Sequence, residues 1–159
     1  MEGRHYLRAT VMNEIERFGR QREILLVEDN PGDVRLLQEA FKEGNFKGRL
    51  HVVRDGEQAI RFLRRMAPYE DAPRPTFVLL DLNLPRKDGR EVLAEVKNDA
   101  ELRKIPIFVL STSTGFEDIA RAYDLHANCY IPKPVDLERL IEMSERLEAF
   151  WLSTAVLPA

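Results

Sequence analysis

Four short apolar runs divide the chain: Ile24-Leu25-Leu26-Val27, the weaker Leu50-His51-Val52-Val53, Phe77-Val78-Leu79-Leu80 and Ile107-Phe108-Val109-Leu110. None alternates with polar residues, and continuous apolar runs of this length suit strands of a parallel sheet covered on both faces. Asn128-Cys129-Tyr130-Ile131 is a fifth candidate. Between the runs the periodicity is helical. Asn30-Pro31 reads as an N-cap followed by proline at the first helical position. Val34, Leu37, Ala40 and Phe41 then form one stripe, and Gly44 is placed to end the helix. Ala59, Ile60, Phe62 and Leu63 mark a second helix. Asp88-Gly89-Arg90-Glu91 and Thr114-Gly115-Phe116-Glu117 open a third and a fourth, each with a capping-box-like pair. Leu137, Leu140, Ile141, Ser144 and Leu147 share one face of a fifth.

Strands alternating with helices imply a parallel sheet with right-handed crossovers. Five such units predict an α/β, flavodoxin-like (βα)5 fold, with a five-stranded sheet of order 2-1-3-4-5 and helices on both faces. Met66 to Thr76, with Pro68, Pro73 and Pro75, reads as a long surface loop before the third strand. The expected organisation is an extension over residues 1–21, helical or mobile, a domain over 22–149, and an apolar arm over 150–159. An apolar arm is a liability unless it packs on something. Phe150 and Trp151 are therefore expected to anchor a partner subunit, the rival being that both fold back on their own domain.

In an open parallel sheet, ligands sit beyond the carboxyl ends of the strands. The first strand runs into Glu28-Asp29, the third into Asp81, the fourth into Ser111-Thr112, and the fifth is followed by Lys133-Pro134. Three carboxylates, a hydroxyl and an amine would meet on one rim. Each carboxylate pair at ~4 Å would cost about 4 kcal/mol at an effective dielectric near 20. A hard divalent cation resolves that repulsion, and Mg²⁺ suits a site of carboxylates and phosphate oxygens. One at a time these residues have bland explanations, as turn residues, helix caps or an exposed lysine. Their joint placement at the ends of four strands does not.

Charge and composition narrow the field. A net charge of -3 gives no broad basic surface, so nucleic-acid binding is not expected. No apolar run approaches the ~20 residues of a membrane span, and the N-terminus lacks the apolar segment of a secretion signal. Cys129 is the one cysteine, which excludes an internal disulfide framework and fits a reducing cytoplasm.

Over about residues 22–149 the chain resembles the response-regulator receiver family. The motifs are Ile24-Leu25-Leu26-Val27-Glu28-Asp29-Asn30, Leu79-Leu80-Asp81-Leu82-Asn83-Leu84-Pro85 with Asp88-Gly89, Val109-Leu110-Ser111-Thr112, and Tyr130-Ile131-Pro132-Lys133-Pro134. The resemblance implies that Glu28 and Asp29 are the acidic pair holding Mg²⁺, that Asp81 is the phosphoacceptor, and that Asn83 binds the metal through its backbone carbonyl. It further implies that Ser111 and Tyr130 are switch residues, that Lys133 contacts the phosphoryl group, and that the Lys133-Pro134 bond is cis. The stretch from Leu79 to Leu93, the segment Leu125-His126-Ala127-Asn128-Cys129-Tyr130, the loop with Pro73-Arg74-Pro75 and the ending Phe150-Trp151-Leu152 are similar to phytochrome-associated response regulators of cyanobacteria and other bacteria. That likeness implies a light-sensing histidine kinase as phosphoryl donor, and homodimers built from the fourth and fifth helix region and the C-terminal arm.

Readings from other classes fare less well. A phosphatase with an aspartyl nucleophile needs a second carboxylate two residues on; that position is Asn83. A pseudo-receiver scaffold that never takes phosphate is disfavoured by the intact acidic set. A DNA-binding regulator would need an output module, and only about ten residues follow the fifth helix. The expectation is thus a single-domain regulator that is a phosphoacceptor rather than an enzyme.

Overall fold

The apolar runs become strands β1 (Glu23–Val27), β2 (Arg49–Val53), β3 (Phe77–Leu80), β4 (Ile107–Ser111) and β5 (Cys129–Pro132) in the computed structural model, which describes residues 22–158. They alternate with helices α1 (Pro31–Glu43), α2 (Gly56–Leu63), α3 (Gly89–Asn98), α4 (Phe116–Asp124) and α5 (Leu137–Leu147). Every strand pairing is parallel, and the order is β2-β1-β3-β4-β5, as the alternation predicts. The expected extension over residues 1–21 lies outside the described residues.

Successive strand side chains point to opposite faces, so each run feeds two cores. Leu25, Val27, Val78, Leu80, Ile107 and Val109 face α2, α3 and α4. Ile24, Leu26, Phe77, Leu79, Phe108 and Leu110 face α1 and α5. Both faces are covered, which is why the central strands are apolar without alternation. β5, at one edge, is only partly buried, and its pattern is correspondingly weaker.

The helix ends follow local chemistry with two departures. Asn30 caps α1 by accepting hydrogen bonds from the Gly32 and Asp33 N–H groups, and Asp88 caps α3 through Arg90 N–H. Gly44 does end α1, but at φ -77; the left-handed residue is Asn45, at φ 54. The cap of α4 is Gly115 rather than Thr114, and no side chain bonds back at that position. Ser113 is instead bonded to Asp118, one turn inside the helix. The Lys133-Pro134 bond is not cis; the cis bond among the described residues is Ala67-Pro68, in the loop before β3.

A π-helical turn, Glu148–Leu152, carries α5 on into the arm. Trp151 turns inward, its ring centroid 4.6 Å from that of Phe108, and Leu152 is buried beside it. Phe150 meets Trp151 edge-on and stays 54% exposed. Of the two aromatics expected to reach a partner, Trp151 packs on its own sheet and Phe150 faces outward. Among the described residues no helix is long and apolar enough to cross a membrane.

Candidate functional site

The carboxyl ends of β1, β3, β4 and β5 open on the same side of the sheet, and short loops hold the polar residues there. Glu28 follows β1 directly. Its N–H donates to Val53 O across the strand pair, and its Oε1 accepts from Asn30 N–H at 3.1 Å. The Glu28 carboxylate is thereby drawn inward to 1% exposure, while Asp29 points to solvent. Asp81 follows β3, is 8% exposed, and has Oδ1 held by Asn83 N–H at 3.2 Å. Carboxylate oxygens of Glu28, Asp29 and Asp81 lie within 4.8 Å of one another. The three predicted acids are together.

Gly89 sets the height of the Asp81 loop. Its N–H donates to Leu82 O at 2.9 Å, and a Cβ there would sit 2.3 Å from Asp81 O and 2.6 Å from Leu82 Cα. These are backbone atoms, which cannot turn aside. Gly89→Ala is expected to cost about 3 kcal/mol and to weaken divalent-cation binding by moving Asp81. Gly115→Ala, whose Cβ would meet only Ser113 Oγ at 3.5 Å, is the control and should stay within about 1 kcal/mol of wild type in urea melts.

Lys133 reaches the acids from the loop after β5. Its N–H donates to Ser111 O at 2.7 Å, which ties that loop to the end of β4. Its Nζ lies 2.7 Å from Glu28 Oε2, 3.1 Å from Asp33 Oδ2 and 3.6 Å from Asp81 Oδ2. Burial opposes the Lys133 charge, but the Glu28 hydrogen bond and the Asp81 charge outweigh it and raise its pKa. The Glu28 pKa is raised as well, which favours its neutral form: burial first, then the Asp81 charge, lift it from 4.5 to about 7 against the pull of Lys133. One ammonium does not neutralise three carboxylates. The oxygen-rich donor set, too negative to be comfortable alone, is that of a divalent-metal site.

Ser111 is fully buried and accepts from Ser113 N–H at 3.2 Å. Tyr130 packs against the core with its hydroxyl donating to Ser113 O at 2.7 Å. Ser113 Oγ in turn donates to Asp118 at 2.6 Å, and Arg90 on α3 bonds the other Asp118 oxygen at 3.0 Å. The Ser113 hydrogen bond and then Arg90 hold Asp118 below its usual pKa. Ser111, Tyr130 and the start of α4 therefore form one connected unit beside Asp81. Sequence reasoning missed Asp33, Asp118 and Arg90. Each resembles an ordinary acid or base in the first turn of a helix, and the pairings of Asp33 with Lys133 and of Arg90 with Asp118 join residues far apart in the chain. Asn83 is exposed at the rim, and Phe150 and Trp151 lie on the separate C-terminal arm.

Comparison with known proteins agrees with this geometry. The family model described as the response regulator receiver domain matches residues 24–145. The response regulator Rcp1 of Synechocystis sp. is 49% identical over 136 residues, which is 86% of this chain and 92% of that protein. A crystal structure of Mn²⁺-bound Rcp1 shares 48% identity at a TM-score of 0.79, covering 87% of this chain and 99% of the other. The phosphorylated cyanobacterial phytochrome response regulator RcpA shares 51% at a TM-score of 0.82, covering 88% and 100%. The motifs, the sheet order and the acidic rim all meet in one conclusion: the chain belongs to the response regulator receiver domain family.

Proposed function

We propose that the protein accepts a phosphoryl group on Asp81 from a phosphohistidine of a sensor histidine kinase of the phytochrome class, and signals by a change of shape rather than by turnover of a substrate. The observation carrying this reading is the convergence of Glu28, Asp29, Asp81 and Lys133 from three separate strand ends. The likeness to a phytochrome response regulator whose structure is phosphorylated supports the donor class.

The residues divide the work. An Asp81 carboxylate oxygen attacks phosphorus as the P–N bond to the kinase imidazole breaks, leaving an acyl phosphate on Asp81 and the imidazole free. Mg²⁺, held by Glu28, Asp29, Asp81 and the Asn83 carbonyl, would supply positive charge against the phosphoryl oxygens. Lys133 contributes a second positive charge at close range. Ser111 is placed to turn its hydroxyl toward the new oxygens, and doing so releases the Ser113 N–H it now accepts from. Tyr130 and the Asp118–Arg90 pair hang on the same loop, so the change reaches α3, α4 and β5. Two charge-assisted contacts at ~1.5–3 kcal/mol each total roughly 3–6 kcal/mol. Shifting an equilibrium from 1:99 to 99:1 takes about 5.5 kcal/mol, so the local chemistry is of sufficient size. The protein works in the cytoplasm as a homodimer, with exposed Phe150 available to a second copy.

The test is phosphoryl uptake by the Mg²⁺-loaded protein from acetyl phosphate and from autophosphorylated histidine kinases, phytochrome-class kinases included. Intact mass should rise by one phosphoryl group that hydroxylamine removes, fastest with the phytochrome-class donor. No uptake from any donor would identify a phosphate-independent scaffold. Sedimentation of the same samples, before and after removal of the residues beyond Leu147, checks the dimer.

A further inference from the structure

Lys133 serves three acids, and nothing in the reaction just described uses the third. Its ammonium carries three protons. Two hydrogen bonds go to Glu28 at 2.7 Å and Asp33 at 3.1 Å, whereas Asp81 lies at 3.6 Å, an ion pair without a hydrogen bond. The phosphoacceptor is thus the weakest of the three contacts. Asp33 stands in the first turn of α1, with its own N–H bonded to the Asn30 cap.

We infer that Asp33 is a positioning residue that holds the Lys133 ammonium in its resting place and gives it up when Asp81 carries a phosphoryl group. The inference rests on the reading of Asp81 as phosphoacceptor. Exposure decides which contact yields. The Glu28 side chain is 1% exposed and could not be rehydrated if Lys133 left it. The Asp33 side chain is 37% exposed, so water replaces the lysine at little cost. A phosphoryl oxygen on Asp81 therefore draws the ammonium away from Asp33 while Glu28 keeps its bond. Asp33 and the phosphoryl group compete for one cation, and the strength of the Asp33 contact sets part of the cost of occupying the site.

The experiment uses the full chain with Mg²⁺ and beryllium trifluoride, a phosphoryl mimic that needs no transfer step, and compares wild type, Asp33→Asn and Asp33→Glu. Asp33→Asn keeps the side-chain shape and removes the charge. It is expected to bind the mimic about threefold more tightly, the size of an exposed ion pair, while Asp33→Glu stays near wild type. The ¹⁵N signal of the Lys133 ammonium should differ between wild type and Asp33→Asn in the free proteins and coincide in the complexes, because in the complex the lysine has left position 33. A difference that persists in the complex, or mimic affinity unchanged or weakened in Asp33→Asn, overturns the inference. Matching shifts in both variants would mark a mere helix-cap effect and overturn it too. If wild type itself takes neither the mimic nor phosphoryl, it is the phosphoacceptor reading that falls.

Discussion

Asp81→Asn is expected to gain no hydroxylamine-labile phosphoryl group from any donor that labels the wild-type protein, while folding at least as stably. The amide cannot supply the attacking carboxylate oxygen, and Glu28 beside it cannot substitute, being sealed at 1% exposure and bonded to Lys133 and Asn30. The stability half follows from charge. Removing one of three crowded carboxylates leaves Lys133 with its two hydrogen bonds, to Glu28 and Asp33. It also removes the Asp81 charge that helps lift Glu28 to about 7. In the metal-free protein Glu28 favours the fold fully below its unfolded value of 4.5, and that contribution is lost as pH rises through the folded value of about 7. A lower Glu28 pKa in the variant shortens that window from above. Metal-free Asp81→Asn should therefore match wild type at the acid end and exceed it by about 1 kcal/mol above neutrality, read from urea melts across pH. Phosphoryl retained by this variant, on a hydroxylamine-sensitive bond, would place the acceptor elsewhere.

How much of this could be read before the structure depends on whether the cause is local. The central strands were legible because burial on both faces makes Ile24–Val27 and Phe77–Leu80 apolar throughout. The α1 stripe was legible because Val34, Leu37, Ala40 and Phe41 are the residues that the helix buries. The acidic rim was legible from strand order alone, since a parallel sheet brings its carboxyl ends together wherever the chain is long enough to return. What escaped was set by partners distant in sequence. Asp33 looks like any acid favoured at a helix N-terminus, and only Lys133, 100 residues later, gives it a second role. Thr114 looked like the cap of α4, but Ser113 spends its hydroxyl on Asp118 and leaves Gly115 at the cap position. Composition marked the arm as apolar without saying which side chain would turn inward. Phe108, on the α5 face of β4, takes Trp151. The perturbation of Glu28 was hidden as well, because a carboxylate beside a strand end and a carboxylate sealed beneath a lysine read identically as Glu-Asp.

Lys133→Met isolates the ammonium from everything else that residue does. Methionine keeps the length of the stem, and the backbone N–H that ties the loop to Ser111 O remains. Glu28 then retains only the Asn30 N–H, with Asp33 and Asp81 left facing it across the vacated position. Removing one partner of a buried pair strands the other charge, and the loss is typically 3–5 kcal/mol. Glu28 can soften this by taking a proton, because the groups that opposed its raised pKa were led by Lys133. We therefore expect about 3 kcal/mol at neutral pH in metal-free urea melts, growing as pH rises and the proton is withdrawn. A divalent cation should reverse most of it. Two positive charges among Glu28, Asp29 and Asp81 replace the missing one, and saturation a hundredfold above the dissociation constant contributes about 2.7 kcal/mol. Wild type should gain less from the same Mg²⁺ addition, since its lysine already answers part of the charge. Equal gains in the two proteins, or a metal-free variant as stable as wild type, would mean that the ammonium and the cation do not serve the same carboxylates.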